Sequence, residues 1–205
     1  MRILIATPLY PPDIAEPAPY VKELATRLKD MHKVTVLAYN HIPEQILGVH
    51  IIAIPKYTIL PVRLIRYTYR LWKEASAADY VFMQNGPSTE LPLVLISHFT
   101  KSKYIFHLGD EISLSFALNR VFRKLLLIFA LKSADIILTH QTSPTKELGN
   151  MLSTCTVANC NRPKNRPEIL PFSDYPTEAF RAYENSWVTH IADIQNIFTK
   201  HESIT

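Results

Sequence analysis

The feature that most constrains the fold is an alternation of short apolar runs with longer segments of helical periodicity. The short runs are nearly continuous in Val, Ile, Leu, Phe and Tyr, which is typical of strands covered on both faces of a sheet. Strands that alternate with helices predict a doubly wound α/β fold with a parallel sheet and right-handed crossovers. The predicted strands are Arg2–Thr7, Lys33–Tyr39, His50–Ile54, Asp79–Gln84, Lys103–Leu108 and Asp135–Thr139.

The intervening segments predict five helices. In the first of them the apolar residues recur every three or four positions, as on the buried stripe of an amphipathic helix. Ser88 and Ser143 have side chains suited to helix N-caps, and Pro144 is of a type tolerated in a first turn. The predicted helices are Tyr20–Met31, Arg63–Ser76, Ser88–Phe99, Leu118–Ser133 and Pro144–Met151.

The chain divides into three segments by composition. Residues 1–152 carry the strand and helix pattern and are long enough to bury a sizeable core. Residues 153–176 are rich in proline and lack a regular period, which predicts an irregular linker. In residues 177–205 large apolar residues, among them Trp187, return at helical spacing. Because such a stripe is costly to leave in water, we expect this C-terminal amphipathic helix to dock on the domain.

Composition and charge exclude several classes of protein. The 205 residues have a formal net charge of +4 and no run of five basic residues, so nucleic acid is not an expected partner. The longest uncharged apolar run, Leu125–Leu131, is far too short to span a bilayer, and no secretory signal is recognisable, so a cytoplasmic protein is expected. Cys155 and Cys160 have no second pair at metal-ligand spacing, so we expect free thiols, no metal and no cofactor.

Candidate site residues follow the predicted strands, at the sheet edge where ligands bind in open parallel sheets. Asp13 lies in the proline-stiffened loop after the first strand and is a candidate for substrate binding. Asn85 and Gly86 follow the fourth strand, where glycine permits close backbone approach and the amide can bind a polar ligand; a structural turn is the alternative. His107 ends the fifth strand, where it can face a ligand or be satisfied by a neighbouring loop, and Asp110 follows it to accept a hydrogen bond from a ligand hydroxyl or to cap the next helix.

The helix predicted from Arg63 carries a basic stripe. Arg63, Arg66, Arg70 and Lys73 step by three or four residues, while Leu64, Leu71, Trp72 and Ala75 fall on another face. A cationic stripe beside Trp and Leu can lie on anionic lipid headgroups, with about 1 kcal/mol from each basic residue near the surface. The stripe therefore predicts either a membrane-surface contact or a core-packed helix with a solvated basic face.

Four stretches of the chain resemble family 4 glycosyltransferases, enzymes of the two-domain GT-B architecture. The likeness covers about residues 1–150, which correspond to the acceptor-side domain of that family, a Rossmann-like half of the GT-B fold. It implies that His107 is the catalytic residue that orients the acceptor hydroxyl or the sugar. The four stretches are Ile3–Asp13 with the helix that follows, Val34–Ala38, Tyr104–His107 and Lys132–Thr139.

A fifth likeness lies near the C-terminus, and the family's donor domain is not recognisable. Tyr183–Trp187 and the helix after it resemble the end of these enzymes, where a helix crosses back onto the first domain; an unrelated amphipathic helix is the alternative. The 205 residues hold four glycines with no two close together, no glutamate pair eight positions apart and no Asp-x-Asp. The family's glycine pair in the first loop is replaced by Ala15-Glu16, whose side chains would crowd and repel a diphosphate.

The resemblance implies an acceptor-side half of a sugar transferase that uses a nucleotide-activated sugar. Its expected partners are a nucleotide sugar held through a donor-domain subunit, a glycan or lipid-linked acceptor, an anionic membrane surface, and a further copy of the chain. The alternative is a non-catalytic glycan- or lipid-phosphate-binding remnant or regulator, because preorganised groups for the leaving diphosphate are missing. A flavodoxin-like or response-regulator module is disfavoured, since the prolines of the first loop remove the N–H donors that a phosphate needs.

Overall fold

A computed structural model describes residues 1–15, 17–109, 111–139, 146–153, 155–160, 162–164 and 177–202. Among these residues, seven parallel strands form one sheet in the order β3-β2-β1-β4-β5-β6-β7. The strands are β1 Arg2–Thr7, β2 Lys33–Tyr39, β3 His50–Ile54, β4 Tyr80–Gln84, β5 Lys103–Leu108, β6 Ile136–Thr139 and β7 Val157–Asn159. The helices are α1 Pro17–Leu28, α2 Leu60–Ala75, α3 Pro87–Ile96, α4 Glu111–Leu118, α5 Val121–Ser133, α6 Lys146–Leu152 and α7 Thr177–Glu202, with a 3₁₀ turn at Ser97–Phe99.

This architecture confirms the predicted doubly wound, Rossmann-like parallel sheet with a C-terminal helix. The strands β1, β2, β3 and β5 have the predicted bounds, and β4 and β6 begin one residue later. Continuous apolar runs predicted them well because both faces of these strands are buried. The chain runs outward from β1 to β3 and then returns to β4 on the other side of β1.

Helices α1 and α2 begin three residues before the predicted bounds, and three other features differ from the predictions. The helix predicted over Leu118–Ser133 begins at Val121, because Arg120 before it is extended, and α4, which ends at Leu118, was not predicted. Ser88 is inside α3 rather than at its cap, since Gly86 and then Pro87 begin that helix. The short strand β7 lies in the segment expected to be a linker. With three residues it is too short to show a period.

Helices cover the two faces of the sheet unequally. On one face α2, α3, α4, α5 and α6 pack against residues such as Leu4, Val81 and Phe106. On the other face α1 and α7 pack against residues such as Ile5, Phe82 and Ile105. The second face therefore depends on the long C-terminal helix for much of its cover.

Helix α7 is held by both apolar and polar contacts. Its large apolar side chains at Tyr183, Trp187, Ile191, Ile194 and Phe198 are buried. The Tyr80 hydroxyl donates to the carbonyl oxygen of Phe198 at 2.9 Å, and the two rings lie 4.6 Å apart. The guanidinium of Arg27 on α1 pairs with the Glu184 carboxylate at 2.9 Å. These contacts bury the apolar stripe that the sequence predicted.

We predict that Phe198→Ala lowers the free energy of unfolding by about 3–5 kcal/mol, because it leaves a cavity between α7 and β4. Urea denaturation followed by circular dichroism measures the change. Val188→Ala is the matched control, because Val188 lies on the outer side of the same helix and should change stability by less than about 0.5 kcal/mol. Equal effects of the two variants would contradict the docking of α7.

Candidate functional site

The candidate site lies where the strand order reverses, between β1 and β4. In open parallel sheets the crevice outside the carboxyl ends of the strands at such a switch point is the usual ligand site. Asp13 lies on the loop that leaves β1, and Asn85 and Gly86 lie directly after β4. The fold therefore carries these three predicted residues on the two loops that flank the switch point.

Buried polar residues are concentrated at this edge of the sheet. Of the ten polar residues that are buried in the described part of the chain, eight lie at or just beyond the carboxyl ends of the strands. Burial of polar groups is costly unless they are paired, so their accumulation at one edge needs a specific network. The eight are Thr7, Asn40, Gln84, Asn85, Thr89, Glu90, His107 and Thr139.

A hydrogen-bond network joins the ends of β1 and β4. The Thr7 hydroxyl donates to Gln84 Oε1 at 2.6 Å, and the Thr89 hydroxyl donates to the Gln84 carbonyl oxygen at 2.7 Å. The Asn85 N–H donates to the carbonyl oxygen of His107 at 3.0 Å, which ties the end of β4 to β5. Sequence analysis missed Thr7 and Gln84, although polar residues that end two neighbouring apolar strands could have indicated them.

Two features call for a glycine at position 86, the backbone conformation and the close approach of Pro8. Its φ of 151° is one that L side chains rarely adopt, and an added Cβ would lie 3.4 Å from Cγ of Pro8. The loop after β1 thus packs directly on the turn after β4. Asn85, next to Gly86, is buried in this arrangement.

Glu90 is a buried carboxyl that sequence analysis did not identify. It lies in α3, 2% exposed, and its Oε1 accepts a hydrogen bond from the Gly86 N–H at 3.0 Å. Burial raises the pKa of Glu90 to about 7, while the Gly86 N–H and the charge of Arg123 act in the opposite direction. The carboxyl therefore changes charge near neutral pH while it holds the turn of Gly86.

Asp13 is paired with a cation at the rim of the crevice. Its carboxylate lies 2.7 Å from Nζ of Lys56, which follows β3. The Asn40 side chain donates to the carbonyl oxygens of Tyr10 and Pro11, at 2.7 and 3.1 Å, and so fixes the loop that carries Asp13. A sugar hydroxyl that binds Asp13 would share the carboxylate with Lys56.

His107 lies at the carboxyl end of β5 but points away from the crevice. Side chains alternate along a strand, so His107 shares the face of Ile105, which α1 and α7 cover. Its imidazole is 2% exposed and stacks on the Tyr20 ring with centroids 4.9 Å apart. It also lies so close to Gly109 that a side chain there would collide with it. Tyr20 therefore covers the ring of His107.

Helix α7 encloses the Tyr20 ring that covers His107. The Tyr20 hydroxyl is 2.8 Å from Nε2 of His190, and the Trp187 ring centroid is 5.5 Å from that of Tyr20. Burial raises the pKa of Tyr20 well above its ordinary value, with a smaller contribution from Cys160. Tyr20 is therefore a neutral hydroxyl in this cluster. Asp110 and Glu16, the other loop residues singled out from the sequence, lie outside the described residues.

The four basic residues predicted to form one stripe on α2 differ in their exposure. Arg66, Arg70 and Lys73 are exposed. Arg63 instead turns toward the core, where its guanidinium lies 5.5 Å from the Tyr39 ring centroid and donates to the carbonyl oxygen of Lys56 at 2.9 Å. Three of the four predicted cations thus share an outer surface.

Large apolar side chains lie among the exposed cations of α2. Ile65, Tyr69 and Trp72 are exposed, and the rings of Tyr69 and Trp72 lie 6.2 Å apart. Trp72 was predicted on the face of Leu71, but Leu71 is buried and Trp72 is 44% exposed. Consecutive residues lie about 100° apart around a helix, which is enough to place Leu71 in the core and Trp72 at the surface. The outer side of α2 is therefore both basic and aromatic.

The described residues contain no group of three or more His, Cys, Asp or Glu side chains that could hold a metal ion. Cys155 and Cys160 are free thiols. Burial raises the pKa of Cys160 to about 12, aided by the charge of Asp193, so this thiol stays protonated at neutral pH.

Comparisons with known proteins identify distant structural likenesses only. An alpha-glucosyltransferase, solved with UDP and a 13-mer DNA containing a central A:G mismatch, matches 80% of this chain at 17% identity and a TM-score of 0.48. The chain spans 41% of that protein's length. The C-terminal domain of the coenzyme A biosynthesis bifunctional protein CoaBC matches 69% of the chain and 78% of its own length, at 11% identity and a TM-score of 0.39. No family model and no curated protein matches the sequence.

We predict that Glu90→Gln abolishes a stability change between about pH 5 and pH 8. The folded-state pKa is above the ordinary value of 4.5, so the native state favours the neutral carboxyl. The contribution of Glu90 to stability is therefore fully present below about pH 4.5 and falls by about 3 kcal/mol as the pH rises from there through about 7. Urea denaturation of both proteins at each pH measures the difference. Gln keeps an oxygen that accepts from Gly86, and parallel pH profiles would contradict the prediction.

Proposed function

We propose that this chain is the acceptor-side half of a GT-B-type sugar transferase. In this proposal a nucleotide-activated sugar is held by a further domain or a separate subunit, and the acceptor lies at the carboxyl edge of the sheet. The observation that carries the proposal is the set of eight buried polar residues at that edge, around the switch point. The sequence likeness to family 4 glycosyltransferases, in segments that contain β1, β2, β5 and β6, supports the choice of reaction.

The proposed reaction transfers a glycosyl group from a nucleoside diphosphate to an acceptor hydroxyl. The hydroxyl oxygen forms the new bond to the anomeric carbon and its proton is released to water, while the nucleoside diphosphate leaves with the former bonding pair. Asp13 and Asn85 bind acceptor hydroxyls, Gly86 allows the backbone to approach them, and His107 orients the reacting hydroxyl. For this to occur, the loop after β1 separates from Gly86, and Tyr20 leaves the ring of His107. In the proposal Asp110 also binds substrate, as the resemblance implies.

A second candidate function is a non-catalytic binding protein descended from such a transferase. The burial of His107 under Tyr20 and the pairing of Asp13 with Lys56 favour it, because one ring is covered and the other group is ion-paired without a ligand. Such a protein would bind a glycan or a lipid-phosphate headgroup, or regulate a complete transferase. It would use the crevice without the motion that exposes His107.

We also propose that α2 rests on an anionic membrane surface, where a lipid-linked acceptor is found. No helix in the described ranges is long and apolar enough to cross a bilayer, so the proposed contact is peripheral. Arg66, Arg70 and Lys73 are exposed beside Tyr69 and Trp72, which is the composition of an interfacial helix. The aromatic rings suit the headgroup level, and the cations suit anionic lipid.

A thermal-shift series with UDP-, GDP- and ADP-sugars and with alkyl glycosides tests the half-transferase proposal. We expect a shift with a glycoside and none with nucleotide sugars alone. A ligand at about 100 times its dissociation constant adds about 2.7 kcal/mol, which is several degrees for a domain of this size. Asn85→Ala should abolish the glycoside shift, and Asn119→Ala, between α4 and α5, should retain it. A shift with a nucleotide sugar would contradict the acceptor-half assignment.

Neutralising the cations of α2 tests the membrane contact. Arg66→Gln, Arg70→Gln and Lys73→Gln together should weaken binding to phosphatidylglycerol-containing vesicles about a hundredfold, at about 1 kcal/mol for each charge. Vesicle flotation measures binding. The charge-matched control combines Lys33→Gln, Lys164→Gln and Arg181→Gln, exposed positions outside α2. Equal losses in both triple variants would mean that net charge, and not α2, governs the binding.

A further inference from the structure

The exposed apolar residues of the chain are distributed unequally over the fold. Five of them lie on α4 and α5, and Phe122 is the most exposed of the three phenylalanines among them, at 78%. On α5, Phe122, Leu125 and Phe129 are spaced by three and four residues, so they share one face of the helix. Several large apolar side chains on one exposed face are unusual in water, whereas single exposed apolar residues need no explanation. The group, named the α4–α5 corner, consists of Phe116, Val121, Phe122, Leu125 and Phe129.

The corner lies in a segment whose charged residues are all basic. Residues 112–133 contain no aspartate or glutamate. They contain four basic residues, namely Arg120, Arg123, Lys124 and Lys132. An aromatic and aliphatic stripe flanked by Lys and Arg is the composition of helices that lie in the interface of an anionic bilayer. The charge of the corner therefore complements an anionic lipid surface.

The corner belongs to the same helical layer as α2. Helix α3 packs between α2 and α5, and all three cover one face of the sheet. Between the two outer helices, Leu95 and Phe99 are also exposed. The outward sides of α2 and α5 thus belong to one surface of the molecule, so a single bilayer plane can contact both. The helices of the opposite layer expose one large apolar residue between them, Val188.

We infer that the α4–α5 corner inserts its phenylalanines into an anionic bilayer as a second membrane contact, distinct from α2. The inference extends the proposed peripheral contact and rests on it for the orientation of the chain. Helix α2 supplies electrostatic attraction, while the corner supplies burial of aromatic surface in the acyl region. Stable anchoring commonly needs two such signals, because one alone gives marginal and reversible binding.

A second copy of the chain is a poorer occupant of this surface. A two-fold interface brings the same patch of both subunits together, so Arg120 and Lys132 of each copy would face a like-charged surface. Anionic headgroups relieve that repulsion, whereas an identical surface increases it. The occupant that fits both the apolar and the basic residues is therefore a lipid surface with negative charge.

The test uses Phe122→Ser with Phe129→Ser, and Val188→Ser as the control on α7. Flotation with phosphatidylcholine–phosphatidylglycerol vesicles is measured at about 0.1 M and about 0.5 M salt, where the higher salt screens the contribution of α2. We expect the double variant to lose binding by about tenfold for each ring, most clearly at high salt. The control should bind as the original chain does, and exposed positions should leave the urea-unfolding midpoint unchanged.

Three results would overturn the inference. The first is unchanged high-salt flotation of the double variant. If the triple α2 variant loses flotation while the double variant does not, the proposed α2 contact stays supported and only the inserted corner is contradicted. The second is a change from dimer to monomer in sedimentation with no change in flotation, which would assign the corner to a second copy. The third is the absence of a blue shift in the tryptophan emission of the Phe122→Trp variant when vesicles are added. The inference expects this shift for Phe122→Trp and not for Val188→Trp, so its absence means that the corner does not insert.

Discussion

A parallel sheet has to be covered on both faces, and in this chain one face depends on a single long helix. Helix α1 packs mainly on β1 and β2. The apolar residues that β4, β5 and β6 present on the same face, such as Phe82 and Ile105, lie in one cluster with Trp187 and Phe198 of α7. Without α7 this apolar surface would face water. The C-terminal helix is therefore a structural part of the sheet domain.

The same packing determines the state of the candidate site. The side chain of His107 lies on the face that α1 and α7 cover. Tyr20 stacks on its ring, and α7 packs around Tyr20. The crevice at the switch point instead holds a network of neutral polar groups, with Glu90 as a buried acid that titrates near neutrality. Under the proposed function, substrate access and helix packing would be linked, because the ring of His107 is covered by residues that stabilise the sheet.

The two outer surfaces of the molecule have different chemistry. The layer of α2, α3 and α5 exposes aromatic and basic residues together, from Trp72 to Phe129. The layer of α1 and α7 carries its aromatic residues inward, against the sheet. This asymmetry is what the proposed membrane contact rests on.

Local sequence was enough to predict the strands, because a run buried on both faces must be apolar throughout. It was also enough to predict the helices that carry a regular apolar stripe. It was also enough to indicate that Asn85, Gly86 and Asp13 follow strands at the carboxyl edge of the sheet. The direction in which His107 points and the exposure of Trp72 were decided only by tertiary packing. The buried position of Glu90 and the pairing of β7 also depend on neighbours that are distant in sequence. Periodicity reports which side of an element is apolar, but only the folded chain determines which neighbour covers that side.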